Sequence, residues 1–195
     1  MNLQINKSNP LKKICLLSLL FLFINSSIAS QENKKWNFGE KGSKEIVGST
    51  STGLGFYDFG MYGSTGIGTA YNSYVANRLH IGTSLSLYSM YAPGTNTEGR
   101  IGTSFSIGYL FPLSKNFYFD LESVFSIGYR NYFFSKGMDF QPYLATTIKQ
   151  RFKSILINYG ISHSFIYYNS NPYSGSPWSD LFYNLDLSIG ISVPF

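Results

Sequence analysis

The sequence predicts an all-β chain, an eight-stranded antiparallel up-and-down transmembrane β-barrel, on three observations. Its last stretch alternates apolar and polar residues with a period of two, the polar face of its strands is built from Gly and Ser, and the links between strands alternate short and long. A small transmembrane barrel unites these features: an apolar outside, a cramped inside filled by its own side chains, and short turns at one end only.

In chain order, the first segment stands outside the fold. Lys7, Lys12 and Lys13 form a basic start, Ile14 to Ile24 an eleven-residue apolar core, and Ser27-Ile28-Ala29 supplies small residues for cleavage. Residues 1–29 therefore read as a cleaved Sec signal peptide, because the core is shorter than the roughly 20 residues of a membrane helix. Cys15 follows Lys12-Lys13-Ile14 rather than the small residues of a lipid-attachment site, and it leaves with the signal. No disulfide framework is then possible. Of 15 basic and 10 acidic side chains, three bases depart, so the mature charge is near +2. The pI of 9.2 loses its force as an argument for nucleic-acid binding. Residues 30–42 read as a periplasmic tail, too short for a peptidoglycan-binding domain, and 43–195 as the barrel.

Aromatics reach 18% and charged residues only 13% of the chain, the latter about half the usual share. From Leu181 to Phe195 every odd position is apolar: Leu181, Tyr183, Leu185, Leu187, Ile189, Ile191, Val193 and Phe195. Eight in eight arises by chance on the order of one time in a thousand, which establishes a period-2 strand. Similar runs place seven more strands near 43–56, 64–75, 79–91, 100–112, 117–131, 140–151 and 154–168. Ala76–Arg78, Pro112–Asn116 and Phe152-Lys153 form tight turns. Longer links run over Tyr57–Gly63, Ala92–Glu98, Asn131–Asp139 and Asn169–Ser179.

Period two alone also fits a soluble sandwich, and the polar face decides between them. It carries Gly82, Ser84 and Ser86, then Gly102, Ser104, Ser106 and Gly108, then Ser188, Gly190 and Ser192. Small polar residues suit a narrow lumen rather than a water-facing sheet. The opposite face holds Leu85, Leu87, Ile101, Phe105, Ile107, Phe125 and Ile127, with Tyr91, Tyr109, Phe111, Phe117 and Tyr129 near strand ends where aromatic girdles belong.

Three stretches carry a family resemblance: Glu45-Ile46-Val47-Gly48-Ser49, "YNSYVANRLHIGTSLSL" over 71–87, and "IGYLFPLSKNFYFDLE" over 107–122. Over roughly 43–195 the chain resembles the OmpA-like small outer-membrane barrel superfamily. The resemblance implies the outer membrane of a two-membrane bacterium and contact with its lipid and lipopolysaccharide, and the sequence itself leads to the expectation of no cofactor. Leu187, Ile189, Ile191, Val193 and Phe195 resemble the terminal signal read by the barrel-assembly machinery. The superfamily spans adhesins, resistance proteins, structural barrels and a few lipid enzymes, so it leaves function open.

Face parity points Glu45, Asp120, Glu122, Arg130, Lys149 and Asp186 into the lumen, four of them (Glu45, Asp120, Glu122 and Lys149) toward the periplasmic half. Unpaired charge there is costly, so pairing with Lys149 or Arg130 and a plug of ion pairs are expected. A lipid A deacylase would need His and Ser two apart on one strand face, but His163 is flanked by Ile161 and Phe165. His163 therefore reads as interfacial and His80 as a rim residue, with no transition-metal site. Tyr173 and Trp178, in the last long link, are candidate contacts for an extracellular ligand. The leading expectation is a non-enzymatic structural or surface-interaction barrel. A small porin-like pore or carrier, and a lipid-modifying enzyme, are the alternatives.

Overall fold

The computed structural model describes residues 37–57, 60–91, 98–131, 136–168 and 181–195. Eight strands run in chain order: β1 (Lys44–Tyr57), β2 (Gly60–Ala76), β3 (Leu79–Tyr91), β4 (Glu98–Pro112), β5 (Phe117–Asn131), β6 (Lys136–Phe152), β7 (Ile155–Tyr168) and β8 (Leu181–Pro194). Each pairs antiparallel with its neighbours, and β1 pairs with β8 from Glu45↔Pro194 to Phe56↔Tyr183. This closure leaves no sheet edge unpaired, the condition for a sheet to cross hydrocarbon.

Two expected links are shorter than the sequence suggested. Only two residues separate β1 from β2, and four separate β5 from β6, because β2 begins at Gly60 and β6 at Lys136. Glycines in the first stretch and charges in the second read as loop, yet their period-2 alternation continues: Tyr62 and Asp139 are buried while Met61 and Met138 are exposed. The proposed signal segment 1–29 and loop residues Tyr173 and Trp178 lie outside the described residues.

The barrel is apolar outside and polar inside. Among the described residues, seven hydrophobic side chains are buried against fifteen polar or charged ones, whereas Leu85, Phe105, Phe125, Leu187 and Ile189 stand roughly half-exposed on the outer face. Such a surface suits hydrocarbon, and its hydroxyls are satisfied at home. Thr50 and Thr52 donate to the carbonyls of Gly66 and Ser64 at 3.1 and 3.2 Å, and Thr103 donates to that of Ser84 at 3.0 Å. An arginine at mid-strand on this face, Ile189→Arg, is expected to lower stability in lipid by about 2–4 kcal/mol. Urea unfolding in vesicles measures this, and a loss near zero would contradict a lipid-facing position.

At the short-turn end, residues 37–43 fold across the mouth. Gly42 N–H donates to Tyr74 O (2.8 Å), Tyr74 N–H to Ser43 O (2.9 Å) and Arg78 N–H to Gly39 O (2.6 Å). Gly39 and Gly42 take φ of 80° and 89°, a left-handed conformation that glycine adopts without penalty. The segment seats Phe38 edge-on against Tyr74 and Tyr118, at 5.4 and 5.2 Å between ring centres.

Candidate functional site

Two polar layers cross the lumen. The inner one centres on Lys149, whose Nζ lies 2.7 Å from Glu45 Oε2 and 2.8 Å from Asp120 Oδ2. Asp120 Oδ1 is 2.9 Å from His80 Nε2, and Asn72 donates to Glu45 Oε2 at 3.1 Å. Tyr74 packs over the His80 ring at 5.2 Å, and the Lys149 ammonium lies 5.5 Å from the centre of Phe38. Each strand contributes a buried side chain to this level: Glu45, Tyr74, His80, Leu110, Asp120, Lys149, Leu156 and Ser192 from β1 to β8.

The outer layer centres on Arg100. Its Nε and a terminal nitrogen bind both oxygens of Asp139 at 2.9 and 2.8 Å, and that terminal nitrogen also donates to Ser126 Oγ at 2.9 Å. Asp186 accepts from Ser64 at 3.0 Å and from Asn184. Glycine makes the space. A Cβ on Gly102 or Gly128 would come within 2.4 or 2.5 Å of the Arg100 guanidinium, and one on Gly53 would overlap Asp186. Between the layers lies a cavity of about 170 Å³, lined by Ser51, Ser86, Ser104, Glu122, Tyr143 and Ser188 among others. It is roomy and polar enough for several waters.

Of the sequence-derived lumen charges, Glu45, Asp120 and Lys149 meet in the inner layer with Glu122 beside them, and Asp186 joins the outer one. The side chain of Arg130 is not among those described; among the described residues, Arg100 pairs in the outer half, with Asp139. Parity could have found it, since Arg100 shares a face with Gly102 and Ser104. Asp139 was hidden because it was assigned to a link. His80 is a correction: it is fully buried rather than at the rim. It lies two residues before Gly82 on the inward face, and the chain crossing the mouth turns that rim into interior. His163 is exposed, with Nδ1 2.6 Å from the Tyr183 hydroxyl, on the outward face of β7 with Ile161.

No family model matches the chain, and a search of the curated proteins finds no match. Solved structures do match. Neisserial surface protein A is 12% identical with a TM-score of 0.60, over 80% of this chain and all of that one. The fold is that of the small outer-membrane β-barrels. The N-terminal barrel domain of Pseudomonas aeruginosa OprF gives 11% identity and a TM-score of 0.51, over 80% of this chain and 98% of its own. The outer membrane enzyme PagL gives 10% and 0.52, over 73% and 97%. At these identities a small outer-membrane barrel is a statement about architecture, and function rests on the site.

Proposed function

We propose that this chain is an integral outer-membrane protein, exported through the Sec pathway, that acts as a non-enzymatic structural or surface-interaction barrel through the links at the end opposite residues 37–43. The observation that carries the reading is the pair of charge-clamped layers that cross the lumen, one on Lys149 and one on Arg100. Ions crossing would have to break buried, hydrogen-bonded pairs at two levels, each costing several kcal/mol. Leu187, Ile189, Ile191, Val193 and Phe195 would engage the assembly machinery, the apolar belt would meet lipid and lipopolysaccharide, and Tyr173 and Trp178 would meet an extracellular ligand. No nucleic acid is a partner on this reading.

The test is single-channel recording in planar bilayers with liposome swelling beside it. The expected result is no steady open level, and a sustained conductance would replace this reading with the pore or carrier. The cavity between the layers is what favours that second reading. A lipid-modifying enzyme finds less support, because His163 has an apolar neighbour, Ile161, on its face and its ring is engaged by Tyr183. Heat-modifiable migration on gels and recovery in the outer-membrane fraction check the placement.

A further inference from the structure

The formal charges of the inner layer do not cancel. Glu45, Asp120 and Glu122 bring three carboxylates to the single ammonium of Lys149, an excess of two negative charges when His80 is counted as neutral. Excess charge in a buried site is costly unless an ion or protons balance it. Three donor groups already converge there. A ring nitrogen of His80 and carboxylate oxygens of Asp120 and Glu122 lie within 4.8 Å of one another.

Gly108 is what allows this approach. It pairs with His80 on one side and Glu122 on the other. A Cβ there would come within 2.4 Å of His80 Nε2 and 2.7 Å of Glu122 Cγ. A further feature points to a ligand. His80 is fully buried, with Nε2 the ring nitrogen turned toward Asp120 and the space above Gly108. The Glu122 carboxylate accepts no hydrogen bond among the described residues and borders the cavity. Lys149 does not block the site, because it meets Oδ2 of Asp120 whereas Oδ1 faces His80.

We propose that His80, Asp120 and Glu122 bind one divalent transition-metal ion of the Zn²⁺ or Co²⁺ class. Its two positive charges bring the layer to neutrality, and the cavity leaves a further coordination position open. An imidazole donor suits these ions, whereas Mg²⁺ and Ca²⁺ favour all-oxygen sites. Donors spread over 4.8 Å draw together slightly on binding, to metal–ligand distances of about 2.0–2.2 Å. Two protons, one on Glu122 and one on His80, would balance the same charge without an ion, and experiment separates the two.

The full chain is folded into detergent micelles with ZnCl₂ or CoCl₂, freed of excess ion by gel filtration, and assayed for metal per folded barrel. The expected result is one ion per chain, a visible Co²⁺ d–d absorption, and no displacement by excess Mg²⁺. The chain has two histidines, so His80→Gln is expected to lose both metal and absorption while His163→Ala keeps them. Glu122→Gln removes a carboxylate that accepts no hydrogen bond, so it is expected to fold and to bind at least about tenfold more weakly. A wild-type barrel that emerges without metal overturns the proposal. So does His80→Gln carrying as much as wild type, or His163→Ala losing the ion.

Discussion

Replacing Lys149 with methionine lowers the stability of the folded barrel by about 3–5 kcal/mol, the cost of leaving buried charges without their partner. Lys149 is 2% exposed and bridges Glu45 and Asp120, which are themselves fully buried. Methionine keeps most of the stem's volume, so the loss reports electrostatics rather than a cavity. The measurement is the midpoint of urea unfolding in micelles or vesicles, followed by the gel mobility of the folded form. Removing one carboxylate as well, in Lys149→Met with Glu45→Gln, recovers part of the loss because fewer charges are stranded. A single-variant loss below about 1 kcal/mol, the range of exposed pairs, would mean that water reaches the inner layer.

Arg100→Met is expected to cost a similar amount, about 3–5 kcal/mol, for a different geometric reason. The guanidinium holds both oxygens of Asp139 and the hydroxyl of Ser126, lying over Gly102 and Gly128. Methionine cannot reproduce that planar fork, and the carboxylate of Asp139, 3% exposed, loses its bidentate contact with the guanidinium. Pairing Arg100→Met with Asp139→Asn removes the opposing buried charge as well and is expected to restore part of the stability. Conductance separates the layers. Either double variant keeps one clamped layer, so neither is expected to open a steady channel. A channel in the Arg100 and Asp139 variant alone would place the whole barrier in the outer layer.

The parts of this protein that were legible in the sequence are those governed by short-range periodicity. Side chains alternate across a strand, so Leu187, Ile189 and Ile191 identified the outer face, and Ser188 and Gly190 the inner one, without knowledge of any neighbour. Glu45, Asp120, Glu122, Lys149 and Asp186 were assigned to the lumen by the same parity. Strand limits were less legible at Gly60 and Lys136, where alternation continues through residue types that usually mark loops.

Partner choice was not legible, because it depends on register between strands and on what covers each end. His80 meets Asp120 from two strands away because Gly108 in the strand between them leaves no side chain in the way. Arg100 crosses to Asp139 over Gly102 and Gly128 in the same manner. Phe38, outside every strand, becomes interior only when residues 37–43 fold over the mouth. The sequence by itself determined an apolar-outside, polar-inside sheet of eight strands, since a period of two is a local property. Tertiary structure alone decided which charges meet, because side chains distant in sequence become neighbours only when the sheet closes and its glycines open space between them.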